Sequence, residues 1–270
     1  MGDYVELEGV RTWYDDQGVG SPLVLLHGGL MTNESWFAQM PVLSSEWHVY
    51  APERRAHGRT PDVDGPISFD DMATDTIRFL ESVVGEPAAL VGWSHGGIVG
   101  LLVAIARPDL VSKLVVIGTS FDTKGMVFDV DDMVAGMSHD SFEMTMMRET
   151  YSAVSPDGAD HWPTVFQKIT TMWTREPHIP IDDLKKLAVP VLVLVGDDDM
   201  VSLSHSVELS VDLLGGSLYR APAWQPVIER SSGSGDSGGR GCQLEPRDHL
   251  RHSSALQRRI SEQAPQPDLS

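Results

Sequence analysis

An apolar run ending in Ala89-Leu90-Val91 leads straight into Gly92-Trp93-Ser94-His95-Gly96, and a stretch of small and apolar residues from Gly97 to Ala106 follows. The pattern reads as a buried strand, a sharp turn and a helix. In that setting G-x-S-x-G forces the serine into a strained backbone conformation and exposes its hydroxyl above the sheet, at a helix N-terminus. Glycines two positions either side of Ser94 relieve the crowding, because they carry no Cβ. A bare G-x-S-x-G is a weak signal. Placed between a strand and a helix, it is a strong one.

The rest of the chain repeats the strand–helix alternation. Tyr4–Leu7 and Thr12–Asp15 read as an opening hairpin, and Leu23–Leu26 as a strand buried on both faces. His48–Ala51 is a weaker strand, followed by the loop Arg54–Arg59. Ser68-Phe69-Asp70-Asp71 has the form of a capped helix start, and Ala73, Ile77, Leu80 and Val84 keep helical spacing after it. Ala88–Val91, Lys113–Gly118 and Val189–Val195 are further strands. This alternation predicts an α/β protein with a mostly parallel sheet and helices on both faces.

The alternation breaks between about Phe121 and Asp183, where helical patches carry seven methionines together with Trp162 and Trp173. A helical insertion between two strands would cap their C-terminal ends, with some methionines lining a substrate cavity and others filling core. From Trp224 onward the chain is rich in Ser, Gly, Arg, Gln and Pro, a composition that cannot bury enough apolar surface to fold by itself. The expected organisation is a core over 1–121, a helical cap over 122–183, a second core segment over 184–223 and a disordered tail over 224–270, with a marginal helix near Ser253–Ile260.

The formal net charge of −19 argues against nucleic acid or an anionic membrane as partner. No basic region followed by an apolar stretch marks a signal peptide, and no apolar run is long enough to span a bilayer. Cys242 is the only cysteine, so neither a disulfide framework nor a cysteine metal site is available. The expectation is a cytoplasmic protein acting on a small molecule. No motif calls for a metal, nucleotide or organic cofactor.

Four separate motifs, in order, resemble the α/β-hydrolase superfamily, over the N-terminus to about Leu218. His27-Gly28-Gly29 after a buried strand is similar to its oxyanion loop. Gly58 within Ala56-His57-Gly58-Arg59 resembles its G-H-G-x-S turn, with departures at Ala56 and Thr60. Gly92–Gly96 matches the elbow, and Gly196-Asp197-Asp198-Asp199 resembles the acid loop after a late strand. The resemblance implies the α/β-hydrolase fold with a helical cap. It makes Ser94 the nucleophile and Asp199 the acid that orients the base. Backbone N–H groups of Gly29 and His95 become the oxyanion hole. Asp197 is then a loop-stabilising carboxylate, with Asp198 and Asp197 as alternatives to Asp199. His27 and His57 are structural, His205 is a plain helix residue, and the His95 side chain makes a surface or cap-facing contact. The implied activity is hydrolysis of a carboxylic ester or lactone through an acyl-enzyme. Serine at position 94 argues against the branches that use a carboxylate nucleophile. Perhydrolases, C–C bond hydrolases and iminopeptidases share the same triad, and pocket shape separates them.

The family's histidine is due just after the last strand, near Ala223-Trp224-Gln225-Pro226, and none stands there. Three readings follow. The tail is an altered C-terminus, as a shifted reading frame would produce. Alternatively, His249 or His252 folds back as the base. Or the protein is a non-catalytic small-molecule binder on the same scaffold.

Overall fold

The computed structural model describes residues 2–213 and 217–221. Its centre is an eight-stranded sheet in the order β1-β2-β4-β3-β5-β6-β7-β8. The strands are β1 (Asp3–Leu7), β2 (Val10–Gln17), β3 (Pro22–Leu26), β4 (His48–Pro52), β5 (Ala88–Trp93), β6 (Val111–Ile117), β7 (Val191–Gly196) and β8 (Ser217–Ala221). β1, β2 and β4 pair antiparallel, and every other neighbouring pair is parallel.

The apolar strands alternate between two packed faces, as their side-chain period of two requires. Val24 and Leu26 of β3 join one core cluster, with Leu90, Val99, Leu101 and Val116. Leu23 and Leu25 join the other, with Trp36, Met40, Val91 and Val115. All five residues of β3 are buried, which fits a central strand with both faces covered. Each leucine so buried contributes about 1.5–3 kcal/mol of hydrophobic stabilisation.

The helices are α1 (Met40–Leu43), α2 (Phe69–Phe79), α3 (His95–Ala106), α4 (Val130–Gly136), α5 (Thr145–Val154), α6 (Trp162–Trp173), α7 (Ile181–Leu184) and α8 (Leu203–Val207). Ser68 caps α2 by accepting the Asp71 N–H at 3.1 Å and donating its hydroxyl to the Asp71 carboxylate at 2.7 Å. α2 does not continue as one regular helix to Val84. A widened turn over Leu80–Val84 follows it and stops at Gly85, whose φ is 73°. Likewise α8, the helix that carries His205, passes into a widened turn over Glu208–Leu213.

β3 pairs with β4 on one side and β5 on the other, so the strand order reverses at β3: the chain runs from β3 to β4 and then crosses back to β5. A crevice opens at the carboxyl ends of the strands where an α/β sheet reverses in this way, and ligands bind there. The β3 loop His27-Gly28-Gly29 and the β5 turn at Ser94 both lie at that edge.

Four helices, α4 to α7, lie between β6 and β7. Trp162, Val165, Ile169 and Met172 of α6 are buried and belong to the same core cluster as the sheet. Polar contacts tie the insertion to loops of the core. Lys168 Nζ and His161 Nε2 reach Asp62 Oδ2 at 2.7 and 2.9 Å. The Glu176 carboxylate accepts the Phe69 N–H at 2.8 Å. No helix among the described residues is long and apolar enough to cross a membrane. The tail expected over 224–270 lies outside the described residues, and so do His249 and His252.

Candidate active site

Ser94 sits between β5 and α3 with φ 53° and ψ −116°, a backbone conformation that a non-glycine residue holds only under constraint. Its N–H donates to Ile117 O at the end of β6 at 2.8 Å. The turn is tight on both sides. A Cβ on Gly92 would stand 2.3 Å from the Gly96 carbonyl carbon, and one on Gly96 would stand 2.0 Å from Leu26 O on β3. Only glycine fits at either position. Ser94 is partly exposed, and its hydroxyl has no hydrogen-bond partner among the described residues.

The His27-Gly28-Gly29 loop is held from behind. Gly28 O accepts from His27 Nδ1 at 2.8 Å and from Arg54 Nη2 at 3.1 Å. The Gly28–Gly29 peptide is trans, so its N–H points away from its carbonyl. Fixing Gly28 O on the buried side thereby turns Gly29 N–H to the other. Among the described residues neither Gly29 N–H nor His95 N–H has an acceptor. Gly29 packs directly on the ring that follows the serine: a Cβ there would stand 2.2 Å from His95 Cε1.

The His95 ring is buried beneath the insertion rather than on the surface. Its Nε2 accepts from Trp173 Nε1 of α6 at 2.5 Å, and it meets the Phe69 and Trp173 rings edge-on. With Nε2 accepting, the proton of the neutral ring sits on Nδ1. Burial, with the Arg54 and His57 charges adding to it, holds this ring's pKa well below the usual histidine value. A ring with no lone pair to spare cannot take a proton from Ser94.

Asp199 follows β7, and its carboxylate is fastened at both oxygens. Oδ2 accepts from Gly196 N at 3.2 Å and Oδ1 from Val201 N at 3.1 Å. A Cβ on Gly118 would stand 3.0 Å from Asp199 Oδ2. Gly118 directly follows Ile117, the residue that holds the Ser94 N–H. The strand ends of β5, β6 and β7 thus carry Ser94, Gly118 and Asp199 side by side. Asp197 and Asp198 are exposed, whereas Asp199 is half-buried.

The other histidines have different work. His27 Nε2 accepts the Arg54 N–H at 3.2 Å, and the ring is fully buried. His57 donates from Nδ1 to Arg55 O at 2.9 Å. His205 is more than a plain helix residue: it stacks on Phe121 with centroids 3.9 Å apart, and Nε2 accepts the Phe121 N–H. Among the described residues no histidine nitrogen is hydrogen-bonded to the Ser94 hydroxyl or the Asp199 carboxylate.

Sequence reasoning missed Arg54. Loop arginines are normally solvated, yet this one is 3 % exposed. The one available signal was the run Arg54-Arg55 beside His57.

Comparison with known proteins decides the kinship. The model of the Alpha/beta hydrolase family matches residues 23–253. The chain belongs to the alpha/beta hydrolase family. The match runs beyond Leu218, where the motifs end, and takes in positions 249 and 252. The chain is 27% identical over 238 residues to a 2-hydroxy-6-oxo-6-(2'-aminophenyl)hexa-2,4-dienoic acid hydrolase of Metapseudomonas resinovorans, covering 78% of this chain and 79% of that one. It is 28% identical over 254 residues to a non-heme chloroperoxidase of Streptomyces lividans, covering 82% and 91%. A solved meta-cleavage product hydrolase from Pseudomonas fluorescens superposes with a TM-score of 0.70 at 20% identity, covering 97% of this chain and 98% of that chain. That last likeness is one of fold. Several of the curated relatives are hydrolases by name, and the α/β-hydrolase architecture with its mostly parallel sheet is the fold of this member too.

Proposed function

We propose that this hydrolase cleaves a carboxylic ester or lactone of a small, largely apolar substrate through a serine acyl-enzyme. The observation that carries the reading is the strained Ser94, with φ 53°, beside two backbone N–H groups that have no acceptor among the described residues. Ser94 Oγ attacks the carbonyl carbon as its proton passes to a base. The oxygen that gains negative charge is received by Gly29 N–H and His95 N–H. Asp199 orients the imidazole and stabilises its charged form. The intermediate then collapses: the carbonyl carbon's bond to the alcohol oxygen breaks and the base returns its proton to that oxygen. Water, deprotonated by the same base, then cleaves the acyl-serine to release the acid and restore the Ser94 hydroxyl.

No described histidine meets the geometry of that base, so the reading draws it from His249 or His252, both within the span matched by the family model. A chain that fails to bring either ring to Ser94 keeps only oxyanion binding, worth roughly three to four orders of magnitude over water. It would then act as a weak hydrolase.

The same gap at the base favours a second reading, a non-catalytic small-molecule binder. An organophosphonate probe separates the two. Covalent attachment at Ser94 supports the hydrolase, and an unlabelled protein supports the binder.

A further inference from the structure

Behind the oxyanion loop lies a group of buried basic side chains for which the proposed chemistry has no direct use. Arg54 is 3 % exposed, His57 1 % and His95 7 %. Arg54 Nε, Arg54 Nη1, His57 Nε2 and His95 Nδ1 are all buried without a hydrogen-bond partner among the described residues. Most of the buried unpartnered side-chain atoms of the described residues therefore gather in this one place. The groups are close. Arg54 Nη2 lies 3.1 Å from His27 Nδ1, and the His27 and His57 ring centroids are 5.0 Å apart. The Arg54 charge is felt by all three histidines.

Among the described residues no carboxylate answers that charge. Glu53, the preceding residue, turns away to Arg59 Nη1 at 2.8 Å and to the Asn33 N–H. Asp75 is taken by Arg55 at 2.7 Å. Asp62 is taken by Lys168 and His161. Burial alone brings the guanidinium down to about 9, so it stays charged at neutral pH. An isolated buried cation costs several kcal/mol unless something compensates it. Its unpaired N–H groups and the His95 Nδ1–H all point to an acceptor, and they outnumber the single lone pair on His57.

We propose that the Arg54 guanidinium and the His95 Nδ1–H donate to a small monovalent anion held beside the His57 ring, with chloride as the simplest occupant. The site sits under the Gly28–Gly29 peptide, so the ion would neutralise Arg54 without displacing its bond to Gly28 O. It is independent of whether Ser94 is a nucleophile. A chain of net charge −19 repels anions in general, so one retained here must be held by the Arg54 guanidinium and the His95 Nδ1–H.

The test compares thermal midpoints in sodium chloride and sodium gluconate at one fixed ionic strength, for the wild type and for Arg54→Met. Chloride at about five times its dissociation constant should raise the wild-type midpoint by about 2–4 °C, and leave the variant unmoved. Equal midpoints in the two salts, or an equal chloride response in both proteins, overturn the proposal. Should Arg54→Met not fold, a bromide-soaked wild-type crystal decides. An anomalous peak between Arg54, His57 and His95 supports the site, and a map with no anomalous signal there, including one showing only water, overturns it.

Discussion

Arg54 donates to the carbonyl oxygen of Gly28 at 3.1 Å, and through that one peptide it sets the direction in which Gly29 presents its N–H. A buried cation thus acts on the candidate oxyanion hole without facing it. Replacing Arg54 by methionine removes the donor and leaves His27 Nδ1 as the remaining tie on that carbonyl. Phosphonate labelling of Ser94 should slow by about tenfold or more, within the range of losing part of an oxyanion donor. Labelling rates of wild type and variant, on protein shown to be folded by circular dichroism, check this. Equal rates would mean that the peptide is held elsewhere.

The Ser94 backbone stores strain. A non-glycine residue at φ 53° and ψ −116° costs on the order of 1–3 kcal/mol. Ser94→Gly should therefore stabilise the fold relative to Ser94→Ala, and both should lose all turnover of a short-chain p-nitrophenyl ester. Urea denaturation of the two variants gives the comparison. A glycine variant no more stable than the alanine variant contradicts the strained turn.

The acid loop makes a ranking. Asp199 is anchored at both carboxylate oxygens and faces Gly118, whereas Asp197 is exposed. Asp199→Asn should lower kcat far more than Asp197→Asn, by up to about four orders of magnitude where the triad is complete. Steady-state kinetics of both variants read the ranking, and the reverse order moves the role to Asp197.

Acid should unfold the protein through its buried histidines. Burial and the Arg54 charge bring His57 down to about 3, against 6.5 when exposed. The folded state then refuses a proton that the unfolded state accepts. The resulting stability is fully present above pH 6.5 and is lost as the pH falls towards 3, at about 1.4 kcal/mol per pH unit for one such group. His57→Asn keeps a side-chain donor near Arg55 O and removes this titration. Its stability, measured by urea denaturation from pH 7 to pH 4, should fall less steeply than that of the wild type. Parallel curves would show that His57 is not buried neutral.

Much of this architecture was legible because it rests on local pattern. β3 and β5 announce themselves as unbroken apolar runs, since a strand covered on both faces has no polar side to show. The Ser94 turn was legible because a strand, a serine and a helix can meet so sharply only with glycine at 92 and 96. Other features depend on contacts distant in sequence. Nothing local says that His95 will accept a hydrogen bond from Trp173, which lies 78 residues away. Arg54 reads as a loop charge, and only the fold reveals that its neighbours Arg55 and Arg59 have taken the available acids. The widened turn after α2 interrupts a sequence whose apolar spacing, Ala73, Ile77, Leu80 and Val84, is regular, so periodicity ran past it.

The central claim is that Ser94 is an activated nucleophile. The measurement that reaches it most directly is incubation of the intact chain with a fluorophosphonate, followed by peptide mass spectrometry. The account predicts a single covalent adduct on Ser94, absent after heat denaturation and absent in Ser94→Ala. An intact, folded protein that remains unlabelled at Ser94, or that is labelled equally well after denaturation, would contradict it.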